Sequence, residues 1–566
     1  MKKFERTKKF GSVVMSGLML CSVVSFSACG GDDGLEVDTS KTQINIAVYN
    51  GAAGTAWLDA IGDEFERRNA NVSFESGKQG VQVWVDPGKD EFTAHNLLTS
   101  MPDGEYDLYF TQNTNYFQAI DANVFMDISD IVSEKYDTVD LGEGTKSYSI
   151  LDKMDQASVD FYGVEKNNAT NYYALGWMAP VHGIVYDVDL FCEKGFYFLE
   201  NGSLGGNKDN TSHTLSAGPN GVAGDYDDGL PATWEQMKQL MAYMRDNEVT
   251  PFTWSGQYTY QRNNLFDSFW ASYEGYNDYM LNYSMNGTAT IGGQEVTVTP
   301  ETGYKIAGQE GKLAALTAIS DIVSNVKNYS GQAFLSSQSH TGAEREFLLS
   351  RYAGEPIAML VEANYWEVEA SEYFKEMADI DEKWAQSNRR FGMLPIPKFV
   401  GTEGVPDQTS TETVINTNIY MMAAINAYTK VANAAKEFFK FAHTNEMLSL
   451  ATGYMGISRG YKVKLNDSDW NKLSYFQQQT YELQHSEDVV IVNKSMSPNV
   501  NFAYGNTIVK YWDRTISYTA PGATKAVVYS DLFKNFADNF VAGTPLSPTA
   551  LFASYVENNT AETWSK

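Results

Sequence analysis

The chain has 566 residues, 43% of them hydrophobic and 20% charged, with a formal net charge of −29. Length and composition together exclude a disordered chain and point to a globular protein of two or more domains. A body this acidic is repelled by phosphate backbones and anionic lipid, which excludes nucleic acid as a partner.

Lys2, Lys3, Arg6, Lys8 and Lys9 open the chain, and an uncharged, largely apolar stretch follows from Gly11 to Ala28. It closes on Ser27-Ala28-Cys29. A positive start, a short apolar run and small residues at its end are the marks of a signal peptide, so residues 1–28 are expected to be removed. The ending resembles a bacterial lipobox, with Phe26 where Leu is commoner. That resemblance implies lipidation of Cys29 and a membrane-anchored, extracytoplasmic protein, because each buried CH₂ of an acyl chain contributes ~0.8 kcal/mol. Residues 29–40 then form a polar, flexible tether. The remaining cysteines are Cys21, inside the signal, and Cys192, so no intramolecular disulfide is expected.

Ile44 to Tyr49 reads as a first strand, and Asn50 to Thr55 as a turn. A helix follows with Trp57, Leu58, Ile61 and Phe65 on one face. Strand, glycine-bearing turn and helix open an α/β unit. Val81–Val85 and Tyr106–Phe110 are the next strands. Tyr172 to Tyr186 is apolar and extended, and residues 201–229 form a loop rich in Gly, Asn and Asp. Thr233 caps a helix whose apolar face is Trp234, Met237, Leu240, Met241 and Met244. A helix is expected over 312–327, a buried strand over Pro356–Val361, a strand-like run over Ile415–Ile425 and one amphipathic helix over 429–448. Residues 464–566 read as mostly helical.

Several of these landmarks, in this order, resemble the family 1 extracellular solute-binding proteins of ABC importers. They are the lipobox, the opening strand–turn–helix, Ile184-Val185-Tyr186-Asp187, Leu230-Pro231-Ala232-Thr233-Trp234-Glu235, Pro356 to Trp366, Phe391 to Lys398, and Tyr420 to Ala424 with the helix after it. The resemblance implies a two-lobed, periplasmic-binding-protein-like α/β fold of type II. Lobe one would be 41–177 plus 416–463, and lobe two 181–415 plus 464–566. Chain crossings would lie near Leu175–His182 and Val414–Tyr420. The implied function is capture of a sugar or oligosaccharide and its delivery, as a monomer, to the importer's permease subunits, with no enzymatic activity and no cofactor. Two features depart from the family: the 201–229 insertion with the long C-terminal region, and Gln112-Asn113 where an Asp-Asn pair is usual.

A pyranose offers an apolar C–H face to aromatic rings and a rim of hydroxyls to amides and carboxylates. Ligands of open α/β sheets gather at the carboxyl ends of strands. The expected ligand-binding residues are therefore Asn50, Gln112, Asn113, Trp177, Trp254, Tyr258, Glu362, Asn364, Trp366 and Tyr454, with His182 at a lobe crossing as a further donor. Gly456-Ile457-Ser458-Arg459-Gly460 matches the pattern of a serine-hydrolase elbow but lacks a strand before it and a helix after it. The six histidines show no zinc-binding spacing. Asp225, Asp227 and Asp228 stand close enough in sequence to offer oxygens to a structural Ca²⁺, without the bidentate Glu of an EF-hand. A secreted glycan-degrading enzyme and a surface glycan-adhesion lipoprotein stand as alternatives to the transport receptor.

Overall fold

The computed structural model describes residues 36–88, 94–112, 115–417, 421–500, 519 and 531–564. Cys29 and Asn113 lie outside the described residues.

Eleven strands in two sheets carry the architecture. They are β1 (Thr42–Tyr49), β2 (Val81–Gly88), β3 (Leu108–Gln112), β4 (Leu175–Gly176), β5 (Val181–Asp187), β6 (Thr250–Thr253), β7 (Ile357–Ala363), β8 (Phe391–Leu394), β9 (Thr413–Thr417), β10 (Met421–Ile425) and β11 (Val489–Asn493). The first sheet has the order β2-β1-β3-β10-β4. β1 runs parallel to both β2 and β3, with Ile46 opposite Leu108, and β10 runs antiparallel to β3. The second sheet has the order β6-β7-β5-β9-β11, with β8 also paired to β5.

The chain passes between the sheets within residues 177–180 and again after Thr417. It crosses a third time between Asn445–Met455, a helix packed in the first core, and β11 in the second sheet. Each sheet has its own hydrophobic core. Ile44, Ile46, Trp57, Leu58, Ile61, Phe65, Phe110 and Phe438 pack in one. Ile184, Trp234, Phe252, Phe269, Ile319 and Met359 pack in the other. These are the two lobes of a mixed α/β fold.

Local chemistry accounts for the elements. All seven residues of β5 and of β7 are buried, as apolar central strands require. The helix α1 (Ala56–Arg68) buries Trp57, Leu58, Ile61 and Phe65, and places Asp59 in its first turn and Arg67 and Arg68 in its last. Thr233 caps the helix Trp234–Asp246 by accepting from the Gln236 amide.

Two sequence expectations are corrected here. The run Ile415–Ile425 is two strands, β9 and β10, one in each sheet. The helix expected over 429–448 is two, Ala432–Phe441 and Asn445–Met455, because Thr444 stops the first and caps the second through the Met447 amide.

Candidate functional site

A cavity of about 770 Å³ lies where the carboxyl ends of β1 and β3 face the second lobe. From lobe one it is lined by Tyr49, Gly51, Ala52, Ala53, Gln112, Trp177, Met178 and Met421. From lobe two it is lined by His182, Tyr260, Gln261, Asn264, His340, Tyr365, Glu369 and Ser495.

The lobe-one wall is a braced aromatic surface. Trp177 stacks on Trp57, with ring centroids 5.7 Å apart and an interplanar angle of 12°. Its Nε1 donates to the Thr111 carbonyl at 3.0 Å, which fixes the ring at the end of β3. The Arg459 guanidinium lies 5.5 Å over Trp57, completing a column of cation and two indoles. Arg459 is itself held by the Ala442 carbonyl at 2.6 Å and by His443 Nε2 at 2.9 Å. The Gly456–Gly460 segment thus supports the wall. Ser458 is buried and its hydroxyl accepts from the Gly460 amide, an arrangement unlike an exposed nucleophile.

The lobe-two wall presents buried polar atoms that the protein leaves unpaired. Lys494 donates to Asn264 Oδ1, so the Asn264 amide nitrogen donates to His182 Nδ1 at 3.1 Å. The proton of His182 then sits on Nε2, a buried donor without a protein acceptor. Burial, with Lys494 nearby, lowers the His182 pKa to about 3, so the ring is neutral. Gln261 Nε2 donates to Glu362 Oε1 at 3.3 Å, which leaves Gln261 Oε1 as a buried acceptor without a donor. The wall therefore holds His182 Nε2 as a donor and Gln261 Oε1 as an acceptor in want of partners, beside the unpaired His340 Nδ1, and a buried polar group left unpaired costs about 1–3 kcal/mol.

Carboxyl groups stand behind this wall. Burial first, then Glu369, raises the Glu362 pKa to about 8. Glu344 is driven well above the usual range by burial first and then by the neighbouring carboxyls of Glu362 and Glu369. At a pKa of about 8, Glu362 keeps its proton at neutral pH. Glu369 reaches the cavity with its Oε2 3.7 Å from His340 Nε2.

Of the residues expected from sequence, Gln112 and Trp177 line the cavity. Tyr258 is beside it, half-buried against Tyr260 and His340, with ring centroids 5.8 and 5.4 Å away. Glu362 and Asn364 stand one layer back, the latter accepting from the Val181 amide through its side chain at 3.0 Å. Three aromatic assignments are corrected. Trp366 is fully buried among Phe347, Phe374, Phe391 and Phe476, because it opens a helix that turns into the core. Trp254 is fully buried against Tyr329, Phe334 and Phe533. Tyr454 lies on the surface under the Lys472 ammonium, 4.8 Å from its ring centroid. Asn50 is exposed beside the lining residues Tyr49 and Gly51 but is not one of them. Sequence reasoning missed Tyr49, Tyr260, Gln261, Asn264, His340, Tyr365 and Glu369. The first, second and sixth sit within two positions of residues it chose.

The Asp225, Asp227 and Asp228 carboxylates bring one oxygen each within 4.8 Å of one another. Burial first, then the neighbouring Asp225 and Asp228 carboxylates, raise the Asp227 pKa to about 8.

No family model and no curated protein matches the chain. Among solved structures, the apo form of RafE from Streptococcus pneumoniae is similar at a TM-score of 0.53 and 14% identity, over 92% of this chain and 98% of that one. A chitin oligosaccharide binding protein is similar at a TM-score of 0.50 and 12% identity, over 93% of this chain and all of that one. At such identities the likeness is one of fold: the chain has the two-lobed α/β fold of these substrate-binding proteins. Among the described residues, no helix is long and apolar enough to cross a membrane.

Proposed function

We propose that the chain is an extracytoplasmic substrate-binding lipoprotein. It captures a sugar or oligosaccharide between its lobes and delivers it, chemically unchanged, to the permease of an ABC importer. The observation that carries this reading is the pairing of walls: Tyr49, Gln112 and Trp177 line the cavity from one lobe, and His182 and Gln261, each with a buried polar atom that the protein leaves unpaired, line it from the other. An apolar ring face and a few convergent polar atoms are what a pyranose needs. The fold shared with a chitin oligosaccharide binding protein supports the same ligand class. The sequence around Cys29 supports a lipid anchor on the cell-membrane side of the envelope.

Glycosidic hydrolysis uses two carboxyl groups flanking the bond. Among the described residues, the cavity lining holds one, Glu369. A thermal-shift screen against mono- and oligosaccharides, with chromatography of the recovered sugar, tests the reading. The expected result is a saturable rise in Tm, worth about 2.7 kcal/mol at a ligand concentration of 100 Kd, with the sugar intact. Shortened sugar at catalytic protein levels would replace this reading with an enzyme.

A further inference from the structure

Two side chains of lobe two reach across to lobe one at a place that the walls of the strand-end cavity do not include. The first is Asn499. Its Oδ1 accepts from the Glu165 amide at 2.9 Å, and its Nδ2 donates to the Gly163 carbonyl at 3.1 Å. Val164–Lys166 and Ala169–Asn171 form a two-stranded hairpin, so the Asn499 amide pairs with its outer edge much as a third strand would. The second is Tyr276, whose hydroxyl donates to the Asp160 carboxylate at 3.2 Å. All five residues line a cavity of about 1090 Å³ that lies between the lobes.

Both anchors are stiff on the lobe-two side. The helix α2 (Thr259–Ser284) changes direction at Gly275, whose φ is +77° and where a Cβ would stand 2.7 Å from Ser410 Oγ, so only glycine fits. Tyr276 follows the bend, and its amide donates to Glu412 at 2.7 Å. Asn499 sits in a turn closed by the Val500 amide on the Ser497 carbonyl at 3.1 Å, and Val500 packs with Leu281, Met285 and Ile306. On lobe one, Gly163 ends the helix Gln156–Tyr162, its amide donating to the Val159 carbonyl at 3.0 Å.

We infer that Asn499 and Tyr276 are a latch that holds the two lobes closed in the absence of ligand, so that capture waits on an opening step set by the protein itself. None of the five residues lines the strand-end cavity, so a captured ligand need neither make nor break these bonds. Each hydrogen bond of this kind shifts a two-state equilibrium by about 2- to 10-fold, and one opening motion breaks all three. A ligand enters and leaves through the open form, so the latch slows both steps. That consequence rests on the capture reading above; the latch itself is independent of what is captured.

The test uses the mature protein without any sugar, so its outcome is separate from that of the sugar screen. Small-angle X-ray scattering of the parent should match the closed arrangement described here. Asn499→Ala combined with Tyr276→Phe should enlarge the radius of gyration while the far-UV circular dichroism stays that of the parent. Hydrogen exchange at the Glu165 amide supplies a second reading. Tyr276→Phe alone leaves the Asn499 bonds in place, yet it should speed exchange at Glu165 by about twofold or more, because both anchors give way in one motion. Should the double variant not fold, the comparison is read on Tyr276→Phe and Asn499→Asp, each of which keeps the size of its side chain. A parent already as wide as the variants, variants as compact as the parent, or unchanged exchange at Glu165 in Tyr276→Phe would overturn the latch and leave sugar capture standing.

Discussion

The two walls of the strand-end cavity solve different problems. The lobe-one wall is built from Tyr49, Gln112, Trp177, Met178 and Met421 around small residues, with no carboxyl or imidazole among its described residues. Its shape is set by packing, through the Arg459–Trp57–Trp177 column. The lobe-two wall carries His182, His340 and Glu369, with the buried carboxyls of Glu362 and Glu344 behind them. One wall thus supplies a rigid apolar face, and the other supplies hydrogen bonding that depends on protonation. Dividing the labour between lobes means that neither holds the ligand well alone, which is what a cleft that closes by hinge motion requires.

The largest expected effect separates a wall tryptophan from a core one. Trp177→Ala and Trp366→Ala should each lower stability by about 3–5 kcal/mol in denaturant unfolding, because both rings are fully packed. At temperatures where both variants stay folded, only Trp177→Ala should lose ligand-induced stabilisation. Equal loss in both would erase the distinction between wall and core.

The second prediction concerns pH and belongs to lobe two. The Glu362 pKa is raised to about 8 in the fold from an ordinary value of 4.5. Between those limits the folded state keeps a proton that the unfolded state releases, so this group's contribution falls as pH rises through the window. Glu362→Gln should therefore gain stability relative to the parent from about pH 4.5 to about pH 8, by at most about 1.4 kcal/mol per pH unit. Trp177→Phe on the opposite wall should leave the pH profile parallel to that of the parent. Urea unfolding across that range reads both, and a flat difference for Glu362→Gln would contradict the assignment.

Smaller effects follow at single hydrogen-bonding groups. Gln112→Ala and Gln261→Ala should each weaken saccharide binding by about 0.5–1.5 kcal/mol in calorimetry, one from each wall. Tyr454→Ala, at a surface ring, should change neither binding nor stability by more than about 0.5 kcal/mol.

Much of the fold was legible in the sequence because buried parallel strands read as apolar runs and α1 carries a clear amphipathic stripe. The exchange of lobes after Thr417 was legible only through the family resemblance, which places a crossing near Val414–Tyr420, since an apolar run by itself looks the same whether one sheet or two receive it. Of the residues chosen at strand ends, Gln112 and Trp177 line the cavity and others do not. Trp366 was chosen and its neighbour Tyr365 faces the cavity; Asn50 was chosen and Tyr49 lines it. The turn after β7 sets which of two adjacent rings enters the core, and residue type alone does not reveal that choice. The unpaired atoms of His182 and Gln261 depend on Lys494, Asn264 and Glu362, partners brought in from distant parts of the chain.

Hydroxyl-radical footprinting tests the central claim most directly, because both walls carry reactive aromatic or sulfur-bearing side chains. With a saturating oligosaccharide, Tyr49 on one lobe and Tyr260 and Tyr365 on the other should become protected together, while the surface ring of Tyr454 keeps its reactivity. Protection confined to one lobe, or spread over the surface with none at these residues, would contradict a ligand gripped between the two walls.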